Sequence, residues 1–337
     1  MGCEGLDEKE FAAYTYLARC KEIVIMVLYV CGNGFDLHHG LKTSYCHYRD
    51  FLARENADLL KKLRNLLEQA QCPLFSEDAF WSNVEDGLTL SYETVMSEIV
   101  EDNYPDPDAE FDESDLIQEQ ESELFMFLRE FTATCFYSWL TSMDFAHCVK
   151  SDKVNISEDS KIITFNYTDV LECIYGIDEE RVFHVHGRLR DVKNKMNQMP
   201  ASEREKFLNE NILFGSSRVS PSGVYRELQR QYERDEYYYT AIAPAIDDLE
   251  TDINFATKKI EKARRKMEFF IGDIHIEEVH IMGVSMGNDD MKYFQEVIIP
   301  KTRDSKWIFM YHSQDDQKRY EAISEQYGII NAHYEYW

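Results

Sequence analysis

The residue types best able to do chemistry in this chain stand where apolar runs stop. Val27–Cys31 ends at Gly32-Asn33-Gly34-Phe35-Asp36, with Gly40-Leu41 close behind. Glycines after a strand let the backbone approach a ligand and turn amide N–H groups toward one point, and a helix starting nearby adds its positive end. An anionic pyrophosphate is the natural guest of such a cradle. The common dinucleotide fingerprint G-x-G-x-x-G is not met, because its third glycine falls at Leu37. Taken alone, a G-x-G turn is often only a tight strand-to-helix connection.

Three further runs end in the same grammar of apolar strand, glycine or asparagine, and polar group. Lys161–Phe165 stops at Asn166-Tyr167-Thr168-Asp169, Val182–Val185 at His186-Gly187, and Val279–Met282 at Gly283-Val284-Ser285 with Asp289-Asp290 beyond. Asparagine offers a donor and an acceptor without charge, and histidine titrates near neutral pH, which suits general acid–base work. By alternation His184 and His186 share one face of their strand. Each has a plainer reading: a strand-end histidine is more often a structural hydrogen-bonder, an asparagine there usually caps the next helix, and Gly283-Val284-Ser285 also reads as a turn with a Ser cap. Ligands of open α/β sheets bind outside the carboxyl ends of the strands, so the four ends together predict one crevice.

The elements needed to hold these residues are an α/β fold: a Rossmann-like parallel sheet, completed by Trp307–Tyr311 and Ala332–Trp337, with helical insertions at about 48–150 and 222–270. One domain over 26–337 accommodates this. Residues 1–25, with a helix-like Lys9–Lys21, precede Met26 at the first strand and read as an accessory extension, or as sequence upstream of a natural start. In the first insertion, apolar spacing predicts helices over Tyr48–Gln71, Phe80–Val100 and Leu124–Val149. Residues 98–123 hold twelve acidic residues and no basic one, which predicts a solvated loop or a disordered insertion. The second insertion reads as a lid or interaction surface.

Thirty-six basic against sixty-three acidic residues give a net charge of −27, which argues against nucleic acid or a membrane surface as partner. The basic stretch Lys258–Lys266 reads as one solvated face of a helix. Eight cysteines without a C-x-x-C pair fit scattered thiols in a reducing cytoplasm better than disulfides or a zinc site. The apolar run Ile23–Val30 is too short to span a bilayer and lacks the basic flank of a targeting segment. Acidic proteins with lid-like insertions are often homo-oligomers, although no interface is legible here.

In order and content, Gly32–Asp36 with Gly40-Leu41, Thr43 and Tyr45, then Trp81 and Glu85, Thr164–Thr168, His184–Gly187, Ile212–Gly215, and Gly283–Ser285 with Asp290 and Tyr293-Phe294 resemble the bacteriophage abortive-infection AbiH family over about residues 26–300. That family in turn resembles the sirtuin-like NAD-binding fold. The resemblance implies an anti-phage protein, triggered by infection, that binds NAD and hydrolyses it to ADP-ribose and nicotinamide without a metal. A non-catalytic sensor of NAD or ADP-ribose that signals to a partner protein is the alternative. It further implies Asn166 and His186 as catalytic residues, and Gly32, Asn33, Gly34, Phe35, Asp36, Thr164, Gly215, Gly283, Ser285 and Asp290 as NAD-binding ones. The backbone amides of Gly32–Phe35 would hold the pyrophosphate. Asp36 would accept from ribose hydroxyls, cap the following helix, or face the nicotinamide cation. Two departures stand out: the family's aspartate two places after the asparagine is Thr168 here, and the four-cysteine zinc site of deacetylating sirtuins is missing.

Overall fold

Six short runs, the central ones apolar on both faces and the edge strands only partly buried, are separated by stretches long enough for helical crossovers and form a fully parallel sheet. The structure, a computed structural model, describes residues 26–70, 77–103, 113–233 and 236–337. The N-terminal extension with its Lys9–Lys21 segment and part of the acidic stretch therefore lie outside the described residues. The strands are β1 (Met26–Cys31), β2 (Ser160–Thr164), β3 (Val182–His184), β4 (Ile276–Met282), β5 (Lys306–Tyr311) and β6 (Ala332–Tyr336), in the order β3-β2-β1-β4-β5-β6. This is the order of doubly wound Rossmann-type sheets, and it reverses direction between β1 and β4. Along β1 the side chains alternate between two buried clusters, with Leu28 and Val30 on one face and Val27, Tyr29 and Cys31 on the other.

A third apolar cluster fills a helical body built from the insertions. Its elements are more broken than their periodicity predicts. The Tyr48–Gln71 segment is two helices, Tyr45–Glu55 and Ala57–Gln69, because Asn56 leaves helical geometry and its side chain caps the second by accepting from Leu59 N at 3.2 Å. The Phe80–Val100 segment is three, Glu77–Ser82, Val84–Gly87 and Tyr92–Asp102, with Asn83 accepting from Asp86 N at 3.3 Å. The last aromatic helix stops at Thr141 after a π-helical stretch, Glu130–Cys135.

The acidic stretch is not a solvated loop where it is described. Its ends belong to Tyr92–Asp102 and to Glu113–Phe125, which lies along Glu236–Phe255 and buries Ile117 and Phe125 completely. Charge composition was a poor guide here, since one apolar face is enough to dock a helix whose remaining faces are acidic. The second insertion forms the helices Pro221–Tyr232, Glu236–Phe255 and Ile260–Ile271, the first two stacked on the first insertion as a structural layer. No described residue of this insertion, 222–270, lines the principal cleft. Among the described residues, no helix is long and apolar enough to cross a membrane.

Candidate functional site

The carboxyl ends of five strands open on one cleft of about 520 Å³, within the range of about 300–1,000 Å³ usual for ligand sites. Gly32, Asn33 and Asp36 follow β1; Asn166 follows β2; His186 follows β3; Ser285–Asp290 follow β4; Arg319 follows β5. The first insertion supplies the opposite wall through Tyr45, Trp81, Glu85, Phe136 and Trp139.

Glycines make the meeting of β1 and β4 possible. A Cβ on Gly32 or Gly34 would stand 2.6 or 2.7 Å from the backbone of Val284 or Gly283, and Gly283 has φ +64° with Gly34 and Phe35 backbone atoms equally close. Those close approaches use up the expected cradle. Gly32 N donates to Met282 O, Gly34 N to Gly283 O and Phe35 N to Gly32 O, so the amide of Asn33 is the donor left without a partner among the described residues. The expectation that the amides of Gly32–Phe35 jointly hold a pyrophosphate is therefore corrected: the end of β4 and its loop engage two of the four, and the turn's own Gly32 carbonyl a third.

Asp36 sits inside the helix Asn33–His38, makes no side-chain cap, and is 2% exposed. Its carboxylate accepts from Asn166 Nδ2 at 2.9 Å and from Thr168 Oγ1 at 2.6 Å. Asn166 Nδ2 also donates to Gly32 O at 2.9 Å, so both amide hydrogens are engaged and its carbonyl oxygen is what it can offer a ligand. Asn166 is thus a positioned acceptor rather than a helix cap. Burial pushes the Asp36 carboxyl up to about 7, opposed by the bonds from Thr168 and Asn166.

Gly187, φ +97°, allows the chain to turn after His186, since a Cβ there would meet Asn211 O at 1.9 Å. The His186 carbonyl then accepts from Leu213 N at 2.8 Å, and its ring lies among those of Phe165, Tyr167 and Tyr293. Burial, with the Lys258 ammonium nearby, holds the imidazole well below its usual pKa, against a hydrogen bond to the Phe165 backbone. Nε2 is buried without a partner, so that backbone bond belongs to Nδ1 and Nε2 presents its lone pair. Asp290 Oδ1, also unpartnered, lies 3.9 Å from it. Burial raises the Asp290 carboxyl to about 7; Lys258 opposes this, and Glu85 and Asp289 add to it. His184 does not share this face. β3 ends at that residue, and its ring turns instead to Asn166 O and Glu172 Oε1, both at 3.0 Å.

Beneath the cleft stands a residue that the sequence reading placed on a solvated face. The Lys258 side chain is fully buried and pairs with Glu85 Oε1 at 2.8 Å, which also accepts from Tyr45 OH at 3.1 Å. Desolvation would lower the ammonium, but Glu85, Asp290 and Asp289 raise it, so it is the cation of this cluster. Gly215, φ +118°, is how it gets there: a Cβ would meet Ala256 O at 2.2 Å, and its absence lets Ser216 bridge to Thr257 just before Lys258. Asp289 is tied down by Ser217, through the backbone N at 3.1 Å and the hydroxyl. Only the family resemblance, through Tyr45, Trp81 and Glu85, pointed to this wall; nothing in the sequence separates Lys258 from the lysines that follow it.

Of the twelve residues expected at the site, Gly32, Asn33, Asp36, Asn166, His186, Ser285 and Asp290 line the cleft; Gly34, Phe35, Thr164, Gly215 and Gly283 stand behind it as backbone or core. Five carboxylates line it, from Asp36, Glu85, Asp86, Asp289 and Asp290. A site of this polarity favours a cationic group at its floor, and can take a proton from a ligand at His186 Nε2. Asp169, Glu172 and His184 cluster elsewhere with atoms within 4.8 Å of one another, but the Arg188 guanidinium already pairs with both carboxylates. A family model described as bacteriophage abortive infection AbiH matches residues 28–311. No curated protein and no solved structure gives a significant match.

Proposed function

Since this chain belongs to the bacteriophage abortive infection AbiH family, a membership that implies an anti-phage role, we propose that it acts by binding NAD and cleaving it to nicotinamide and ADP-ribose. The observation that carries this reading is the meeting of Asn166, His186 and Asp290 at the reversal point of a β3-β2-β1-β4-β5-β6 sheet, with Nε2 and Oδ1 buried, facing and unpaired. The nicotinamide ring is cationic, and the carboxylates of Glu85, Asp289 and Asp290 suit it. The pyrophosphate would find the Asn33 amide and the half-exposed Arg319 guanidinium.

In the reaction the C1′–N bond breaks, nicotinamide leaves with the bonding pair and loses its ring charge, and water adds to C1′. Positive character grows at C1′ as the bond stretches, so carboxylates held in a poorly solvated floor favour the transition state. His186 Nε2 accepts the proton of the attacking water, and the Asn166 carbonyl accepts a hydrogen bond from that water or from a ribose hydroxyl. The test is to incubate the protein with NAD and follow nicotinamide and ADP-ribose, with the Asn166→Ala and His186→Ala variants beside it. Turnover by wild type, reduced about 10²–10⁴-fold in His186→Ala with NAD binding retained, is expected. Binding of NAD or ADP-ribose with no turnover in any variant would replace hydrolysis with sensing.

A further inference from the structure

On the other side of β3 a second cleft, of about 550 Å³, has the opposite polarity. Lys259, Lys262 and Lys266 fall at i, i+3 and i+7 and so present one face of the helix Ile260–Ile271 and its approach, while Lys195 faces them from the helix Leu189–Met196. Among the described residues none of these four lysine ammonium groups has an ion-pair or hydrogen-bond partner, although the chain has sixty-three acidic residues to offer. Burial, with Lys206 adding to it, holds the Lys259 ammonium below its usual value against the pull of Glu210.

A fifth cation lies at the back of the cleft. Arg188 is 7% exposed, and its Nη2 is buried without a hydrogen-bond partner, its Glu172 contact being an ion pair at 3.3 Å. Three acidic residues, Glu179, Asp191 and Glu210, also line the cleft, and Glu179 is already paired with Arg188 Nη1 at 3.1 Å. Arg188 is balanced by Asp169, Glu172 and Glu179, so the unpaired charges of the cleft are four lysines against Asp191 and Glu210, a local positive excess in a chain of net charge −27. Between the charges the wall is apolar, through Phe183, Val185 and Phe207.

We propose that this cleft is a second ligand site, built for a phosphorylated molecule with a flat apolar body, of which a nucleoside diphosphate is the simplest example. The lysines take the phosphates, and Phe183 and Phe207 take the base. The site stands apart from the first cleft and does not depend on whether NAD is turned over there. It is nonetheless close to it in the chain of contacts, since Arg188 pairs with Glu172, Glu172 with His184, and His184 with the backbone carbonyl of Asn166.

Photolabelling with 8-azido-ADP followed by peptide mapping tests this directly. Label on peptides carrying Phe183, Phe207 or Lys259–Lys266 is expected, falling at least tenfold in the Lys262→Glu/Lys266→Glu variant, whose exposed positions leave folding intact. Label confined to peptides 32–46 or 283–290, or unaffected by the lysine variant, would overturn the proposal. Calorimetry with inorganic pyrophosphate separates head group from body: affinity at least tenfold weaker than for ADP is expected, and equal affinity would refute the apolar half of the site.

Discussion

At the residue scale the first cleft works by withholding water from groups that want it. His186 is neutral because burial disfavours its charged form, and Asp290 has its carboxyl pushed to about 7 for the same reason. If the ionised Asp290 favours the departing nicotinamide, turnover should rise as pH passes through about 7, and Asp290→Asn should give a low profile without that inflection; an unchanged inflection in the variant would assign it to another group. Asp36 has a consequence for stability. Its folded value of about 7 lies above the ordinary carboxylate value, so the native state holds a proton that the unfolded chain has released. The stability this contributes is complete below the ordinary value and is lost as pH rises through the folded one. Wild type should therefore lose thermal midpoint between about pH 4 and 7 more steeply than Asp36→Asn, which has no charge to titrate; parallel curves would refute the assignment.

At the element scale the decisive contacts are between loops, not within strands. The β1 and β4 loops touch only because Gly34 and Gly283 lack side chains, and Gly283→Ala adds both a backbone clash and a left-handed conformation. That substitution should cost about 2 kcal/mol or more, read as a shifted denaturant midpoint, whereas Gly40→Ala, with open space around it, should cost about 1 kcal/mol through its positive φ alone. The first insertion is fastened to the connecting segments around Ser216–Arg218 and Lys258 by Lys258–Glu85, by Arg218–Asp86 at 2.5 Å, and by the Thr89–Ser216 hydroxyl pair at 2.8 Å. Lys258→Met strands a buried carboxylate and should cost about 3–5 kcal/mol, most of it regained in the Glu85→Gln/Lys258→Met double variant. A double variant no more stable than the single one would mean that Lys258 is held by packing rather than by its charge.

At the scale of the whole molecule, net charge and local charge part company. A chain of −27 repels itself, and salt shortens the reach of that repulsion from roughly 30 Å at 10 mM to about 8 Å at 150 mM. The thermal midpoint should rise over that range, and a fall would show that local pairs such as Arg188 with Asp169 and Glu172 outweigh the global repulsion. The two clefts flank β3 with opposite polarity, so the sheet edge separates a carboxylate floor from a lysine wall.

The sequence by itself determined the strands, most plainly β1 and β5, because a parallel strand buried on both faces reads as a near-continuous apolar run, and it marked His186, Asn166 and Asp290, because a chain leaving such a strand must turn at its end. It marked the helical breaks at Asn56 and Asn83 less well, since a capping side chain interrupts a helix without interrupting its apolar periodicity. Tertiary structure alone decided that two amides of the glycine turn are consumed by the end of β4 and its loop, that both Asn166 hydrogens are spent on Asp36 and Gly32, and that Lys258, in a run of lysines, is the one beneath the first cleft while Lys259, Lys262 and Lys266 line the second. Each is set by which distant segments come within hydrogen-bond reach, and neighbours in sequence hold no record of that.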